Sequence, residues 1–312
     1  MTTAQVYRTV DVPVRGGKLR VGVWEPGAET AMETEGAGPT TGDVPTIVAV
    51  HGVTASHRCW DLVAHRLPGF QIVAPDLRGR GRSNTLPGPF GMSQHADDLA
   101  DVLDYLAIPR AVAMGHSMGG FVTVMFAHRH PGRTGAVLLI DGGLPLEMPE
   151  GMTTDALIAA LGPAADRLTM TFPDHEAYQQ FWHLHPAFVG AWNQAVTDYV
   201  DYDLVGTPPE LRPATTVEAL TGDVPDQYGT PSMLEAVASM PSPTILLRAS
   251  RGFFNDEPGL YPPDRIRYWQ DQLPGLQVRE VAGVNHYTIL FSDIGADAVT
   301  GALLETLQRS PV

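Results

Sequence analysis

The feature that most restricts the fold of this 312-residue chain is a repeated alternation of short apolar runs with helical patterns. The runs are rich in Val, Ile, Leu and Ala, and they lie at 46–50, 71–76, 111–114, 135–141, 244–249 and 277–281. Runs that are apolar throughout, without polar alternation, are typical of parallel strands buried on both faces. Strands separated by helices therefore predict an α/β fold, in which helices pack on a mostly parallel sheet.

The N-terminal part of the chain departs from this alternation. The runs VYRTVDV and KLRVGVW lie close together and predict an antiparallel pair of strands that opens the sheet. Residues 27–45 are rich in Gly, Thr and acidic residues and poor in apolar ones, and this composition predicts a surface loop.

The charge balance restricts the partners of this protein. With 20 Lys and Arg against 35 Asp and Glu, the net charge of −15 opposes binding to nucleic acid or to an anionic membrane. We expect a neutral small molecule as the partner, and self-association remains open. The single cysteine, Cys59, excludes an internal disulfide, and no leader pattern or membrane-spanning run is evident, so we expect a cytoplasmic protein.

Residues 142–240 interrupt the strand pattern with a segment rich in aromatic residues. An insertion of this kind predicts a helical lid between a first core part, 1–141, and a second core part, 241–312. We expect Trp182 and Trp192 of this lid to contact the substrate. The alternative is that its aromatic side chains form only the small core of the insertion itself.

The sequence AMGHSMGGF at 113–121 predicts a sharp turn that carries a nucleophile. Gly115-His116-Ser117-Met118-Gly119 follows an apolar strand and precedes a helical pattern, which is the context that a G-x-S-x-G motif requires. Glycine on both sides lets the strand and the helix approach closely, and the start of the helix stabilises developing negative charge. We therefore expect Ser117 to be a catalytic nucleophile.

A second motif, His51-Gly52, directly follows the strand at 46–50. A loop in this place can supply the Val53 N–H to an oxyanion hole, and the Met118 N–H, next to the nucleophile, supplies the other donor. We expect the imidazole of His51 to brace the loop. In APDLRGRGRSN, salt bridging is favoured over phosphate binding for three arginines: Arg78, Arg80 and Arg82.

Taken together, these motifs resemble those of the α/β-hydrolases, and the resemblance covers the chain outside the lid. The family carries HG after one strand, D-x-R-G-x-G-x-S after the next and the G-x-S-x-G turn after a third. It implies the chain order nucleophile, acid, histidine. His286 in VAGVNHYTILF is the only histidine beyond position 185, and the resemblance implies that it is the general base.

The acid has two candidate positions. Most of the family takes it from the loop after the penultimate strand, where the usual position holds Gly252 and the carboxyl groups of Asp256 and Glu257 lie further along. Some members, including haloalkane dehalogenases and zearalenone lactonases, take it from the end of the strand after the nucleophile. That position is Asp141, which we favour, although an aspartate there often only caps a turn.

These residues predict acyl transfer to water through an acyl-serine, without a metal or cofactor. The aromatic lid and the acidic chain favour a bulky, largely apolar ester or lactone, and the position of Asp141 resembles that in lactonases that act on zearalenone. Two alternatives remain: a C–C bond hydrolase with the same residues, and a ligand sensor with slow turnover on a hydrolase scaffold.

Overall fold

A computed structural model describes residues 5–27, 44–148, 151, 153–159 and 161–309, and of residues 154 and 155 only the backbone. The predicted surface loop at 27–45 lies outside the described residues except at its two ends.

An eight-stranded sheet forms the centre of the molecule. Its strands are β1 (Val6–Val14), β2 (Gly17–Glu25), β3 (Thr46–Val50), β4 (Gln71–Pro75), β5 (Val112–His116), β6 (Val137–Ile140), β9 (Thr244–Arg251) and β10 (Leu276–Asn285), while β7 (Leu204–Val205) and β8 (Arg212–Pro213) form a separate pair. The strand order in the large sheet is β1-β2-β4-β3-β5-β6-β9-β10. The strands β1 and β2 pair antiparallel with each other, and β2 also pairs antiparallel with β4; the other neighbours are parallel. The prediction of an α/β fold with a mostly parallel sheet is confirmed.

Helices connect the strands. The α-helices are Asp61–Ala64, Met92–Tyr105, Met118–Arg129, Thr154–Ala159, Pro163–Asp166, His175–His183, Gln194–Asp203, Val217–Asp223, Pro231–Ala238, Pro263–Gln272, Thr288–Phe291 and Asp293–Arg309. Short 3-10 helices lie at His57–Trp60, Gly81–Ser83, Arg167–Thr169, Pro186–Phe188 and Val224–Tyr228. In the part of the chain that the structure describes, no helix combines the length and the apolar character needed to cross a membrane.

Both faces of the sheet are buried, and β3 illustrates the reason for its apolar sequence. Ile47 and Ala49 belong to the hydrophobic cluster on one face, whereas Val48 and Val50 belong to the cluster on the other. Successive side chains of a strand point to opposite faces, so a strand covered on both sides must be apolar at every position. Each buried Val or Ile side chain contributes about 1.5–3 kcal/mol relative to exposure.

Residues 142–240 run from β6 to the start of β9 and are mostly helical where described. The sequence predicted no strand in this segment, but Leu204 pairs with Pro213 and Val205 with Arg212. These two-residue strands are too short to give an apolar run. Rings of Tyr178 and Trp182 lie 6.4 Å apart between centroids within the aromatic core of the segment.

Candidate functional site

Ser117 occupies a strained turn between β5 and the helix Met118–Arg129. Its backbone has φ +56° and ψ −125°, a conformation that is unfavourable for a residue with a Cβ. The flanking glycines are required sterically, because a Cβ on Gly115 would lie 2.1 Å from the Gly119 carbonyl oxygen, and one on Gly119 would lie 2.0 Å from that of Val50. The turn therefore places Ser117 at the helix start, where the helix dipole favours negative charge.

His286 follows β10 and lies beside Asp141, which directly follows β6. The Nδ1–H of His286 donates to Asp141 Oδ2 over 2.7 Å, and the Ala249 N–H donates to Asp141 Oδ1 over 3.0 Å. Both the histidine and the aspartate are buried. Since Nδ1 carries the proton, Nε2 of a neutral His286 is free to accept one.

Ser117 and His286 line the same cavity, which joins the end of β5 to the end of β10. Within the described residues, no hydrogen bond links their side chains. Such bonds often tighten only when substrate binds.

The two rival carboxyl groups lie elsewhere. Asp256 and Glu257 are both exposed. Asp256 Oδ1 accepts the Phe254 N–H of its own turn over 3.3 Å, and Glu257 lies 3.5 Å from Arg251. The structure therefore brings Asp141 to His286, and it brings neither of the other two.

Two residues that hold His286 were not singled out in the sequence. His116 Nε2 donates to the His286 carbonyl over 2.8 Å, and burial holds the pKa of His116 well below its usual range, so its ring is neutral. The side-chain oxygen of Asn285 accepts the N–H groups of Tyr287 and Thr288 at 3.0 and 2.9 Å. His116 lies inside the G-x-S-x-G motif, which was the available signal, whereas Asn285 had none beyond its position next to His286.

The predicted oxyanion donors face no competing acceptor. Among the hydrogen bonds of the described residues, neither the Val53 N–H nor the Met118 N–H has an acceptor, and Val53 and Ser117 line the same cavity. The Met118 N–H is unpaired because it begins a helix. Two uncommitted N–H groups beside a serine at a helix start can stabilise an oxyanion.

His51 braces the loop that carries Val53. Its Nδ1–H donates to the Gly52 carbonyl over 2.8 Å, and its Nε2 accepts the Leu77 N–H over 2.9 Å. Burial lowers the pKa of His51 to about 3, so the ring is neutral and can perform both roles. Because the trans peptide group is planar, holding the Gly52 carbonyl also fixes the opposite direction of the Val53 N–H.

The arginines that follow β4 have structural contacts. Arg78 forms an ion pair with Asp98 over 2.7 Å, and Arg80 forms one with Asp223 over 2.5 Å, all four side chains being buried. The Arg82 guanidinium lies 4.4 Å from the centre of the Tyr202 ring. These contacts agree with salt bridging by Arg78 and Arg80 and leave both guanidinium groups occupied.

The cavity at Ser117 has two chambers. Val53, Ser117, Leu161 and Phe253 line both and mark where they meet. The aromatic chamber encloses about 440 Å³, open solvent at its mouth included, and is completed chiefly by Thr54, Cys59, Ala164, Tyr199, Tyr287 and Phe291. The aliphatic chamber encloses about 580 Å³ on the same measure and is completed by Phe121, Leu146, Leu157, Val224, Gln227, Tyr228 and Leu260.

Trp182 and Trp192, which we expect to contact the substrate, line neither of these two chambers. Trp182 is 1% exposed and packs against Tyr287, which lines the aromatic chamber. Trp192 stacks on His183 with 3.7 Å between ring centroids. Both tryptophan rings pack against side chains outside the two chambers, as the alternative interpretation expects.

Within the described residues, no group of three or more His, Cys, Asp or Glu side chains is arranged to hold a metal ion. The site is therefore built from a serine, a histidine–aspartate pair, two free N–H groups and an apolar cavity. This combination, on a mostly parallel sheet with the serine on a strand–helix turn, defines the α/β-hydrolase class.

Comparison with known proteins agrees with that class. The model of the alpha/beta hydrolase family matches residues 47–298, and the chain belongs to this family. The structure of an E-2-(acetamidomethylene)succinate hydrolase superposes with a TM-score of 0.72 at 21% identity, covering 96% of this chain and 99% of that one. A thioesterase domain from the curacin biosynthetic pathway superposes with a TM-score of 0.70 at 18% identity, covering 96% and 99%. These likenesses establish the fold.

Sequence relatives include enzymes named for ester cleavage. A lipase of Mycobacterium tuberculosis is 35% identical over 125 residues, which are 39% of this chain and 48% of the lipase. A bifunctional esterase/perhydrolase of Acinetobacter calcoaceticus is 35% identical over 105 residues, covering 33% of this chain and 38% of that enzyme. The matches thus span less than half the length of these relatives.

Proposed function

We propose that this protein is a serine hydrolase that cleaves a carboxylic ester or lactone through an acyl-serine. One observation carries the proposal: Ser117, on its strained turn, shares a cavity with His286, whose Nδ1 is held by Asp141. The relatives named lipase and esterase support ester cleavage as the reaction class.

Each residue has a role in the proposed reaction. His286 Nε2 accepts the Ser117 proton while Ser117 Oγ attacks the substrate carbonyl carbon. The resulting oxyanion accepts hydrogen bonds from the N–H groups of Val53 and Met118. The protonated His286, stabilised by the buried Asp141 carboxylate, then gives the proton to the leaving alcohol. Water activated by His286 attacks the acyl-serine, and the acid leaves with regeneration of Ser117.

The two chambers support a substrate with two apolar arms. Both chambers are lined mostly by apolar side chains and meet at Ser117, so an ester carbonyl at the serine directs its acyl and alcohol parts into different chambers. Leu161, from the inserted segment, lines both chambers, which supports the role of residues 142–240 as a lid. A lactone fits the same class if its ring spans the junction. A macrolactone of the zearalenone type remains a prediction that rests on the position of Asp141.

The nucleophile is tested with a fluorophosphonate probe on the whole protein. We expect wild type to be labelled and Ser117→Ala to remain unlabelled, with the modified peptide identified by mass spectrometry. Ser239→Ala is the matched control, because Ser239 also contacts a histidine, His128, over 2.7 Å but lies on the surface without an acid or a strained turn. Labelling that persists in Ser117→Ala contradicts the proposal.

The reaction is tested with steady-state rates on p-nitrophenyl esters, aryl lactones and vinylogous diketones. We expect repeated turnover of esters or lactones. Turnover of diketones alone would identify the C–C bond hydrolase alternative, and a single slow turnover on every compound would identify the sensor alternative.

A further inference from the structure

Three successive carbonyl groups of the loop after β3 are each held by a buried side chain. The Gly52 carbonyl accepts the His51 Nδ1–H over 2.8 Å, as described above. The Val53 carbonyl accepts Arg80 Nε over 2.9 Å, and the Thr54 carbonyl accepts Arg167 Nη2 over 3.0 Å. We refer to residues 52–54 as the oxyanion loop. With its carbonyl groups turned to these donors, the loop leaves the Val53 N–H free.

Both arginines connect this loop to the inserted segment 142–240. Arg80 belongs to the core, and its guanidinium pairs with Asp223 of that segment over 2.5 Å. Arg167 belongs to the segment itself, pairs with Asp203 over 3.1 Å and also donates to the Ala164 carbonyl. Both arginine side chains are fully buried.

The contacts to the loop exceed what charge neutralisation requires. Asp203 already balances the Arg167 charge, yet the guanidinium directs a further N–H to a main-chain oxygen next to Val53. A guanidinium presents five donors in one rigid plane. When the Asp203 carboxylate holds one edge of the Arg167 guanidinium, the directions of its other donors are therefore also fixed. Arg80 repeats this arrangement with Asp223 and the Val53 carbonyl, and its Nη2 lies 3.8 Å from the sulfur of Met118.

We propose that Arg167 and Arg80 are positioning residues through which the inserted segment 142–240 holds the oxyanion loop in its active geometry. The inference rests on the proposed function, because it assigns an effect on the Val53 N–H. Neither arginine lines either chamber. Their removal leaves the nucleophile and base in place but lets the Val53 N–H move away from the position of the oxyanion.

The test compares Arg167→Met with wild type, using kcat and KM on p-nitrophenyl esters per active site counted by complete fluorophosphonate labelling. A displaced oxyanion donor is expected to lower kcat about 10- to 100-fold while KM stays within about 3-fold. A trifluoromethyl ketone, which forms a tetrahedral oxyanion on the serine, should lose affinity by a factor similar to that in kcat. The corresponding methyl ketone should lose little.

Arg248→Met is the matched control. Arg248 is also buried, and it also donates to a carbonyl and a carboxylate, those of Tyr261 and Glu280, but it does not contact the oxyanion loop. We expect it to lower the melting temperature without changing kcat per labelled site or the ratio of the two ketone affinities.

A purely structural role for Arg167 predicts that Arg167→Met resembles Arg248→Met, and that result overturns the inference. If Arg167→Met does not fold, Arg167→Lys is tested in its place. The lysine ammonium can stay beside Asp203 but lacks the planar set of donors of a guanidinium, so the affinity for the trifluoromethyl ketone should fall. An unchanged affinity overturns the inference. Failure of the proposed function is distinguished without the arginine variants: wild type then shows no repeated turnover of esters or lactones, or Ser117→Ala retains full activity.

Discussion

Replacement of Asp141 by asparagine tests the role of the acid while leaving the other parts of the site unchanged. The position has φ +44°, a backbone region that Asp and Asn tolerate better than other residues with a Cβ, so Asn preserves the local chain where Ala would add strain. Asn also keeps one oxygen for the Ala249 N–H, which Asp141 accepts over 3.0 Å. The change therefore falls on the contact with His286.

The magnitude follows from that contact. In the wild type, His286 Nδ1 lies 2.7 Å from a carboxylate oxygen of Asp141. In the variant, the Asn oxygen accepts the Ala249 N–H, so the amide turns its NH₂ group toward His286 Nδ1. His286 Nδ1 must then accept, so the proton moves to Nε2, the atom that has to receive the Ser117 proton. Holding the wrong tautomer and losing the charge that stabilises imidazolium should lower kcat about 10⁴-fold, or about 5.4 kcal/mol in the activation free energy.

The assay measures kcat and KM on a p-nitrophenyl ester for Asp141→Asn and for Asp256→Asn as the matched control. Asp256 is exposed and caps its own turn, so its variant should remain within a few-fold of wild type. KM of Asp141→Asn should change little, because the cavity walls are untouched. A loss below about tenfold in Asp141→Asn, or a crippled Asp256→Asn, refutes the reasoning about the acid.

Three further predictions concern the turn, the loop and the cavity. Gly119→Ala should destabilise the fold by about 3 kcal/mol, because its Cβ would lie 2.0 Å from a main-chain oxygen of β3. Gly301→Ala, whose Cβ would have no atom within 4 Å, should not destabilise it. Urea unfolding measures the free energy of unfolding of both variants, and equal effects contradict the steric argument. Burial lowers the pKa of His51 to about 3, so the unfolded chain binds this proton more strongly and stability should fall as pH drops from about 6.5 toward 3. Urea midpoints at pH 7 and 4 test this, and equal midpoints oppose it. Trp192→Ala should leave the relative rates on small and bulky esters nearly unchanged, whereas Phe253→Ala should alter them, because of these two residues Phe253 lines the cavity and Trp192 does not. The opposite pattern would indicate that Trp192 contacts the substrate.

The inserted segment shows where local sequence patterns lose their predictive value. Aromatic residues close together in the sequence indicated a compact helical unit, but a ring in that unit can face either its own core or the cavity. Trp182 lies in the core of the segment, whereas Tyr199, from the same stretch, lines the aromatic chamber. Which ring faces which way depends on how the segment packs against β10 and the loop after it, and no short-range pattern records that packing.

The sequence by itself predicted the apolar strands and the turn at Ser117, and its resemblance to the α/β-hydrolases implied His286 as the base. The strands and the turn are recorded in short-range patterns, namely runs of apolar residues and the glycines around one serine. Only the tertiary structure decided that Asp141 and not Asp256 meets His286, 145 positions away, and that Arg167 reaches Thr54, 113 positions away. A hydrogen bond requires donor and acceptor within about 3 Å, and for residues so distant in sequence that proximity is set by the packing of whole strands and helices.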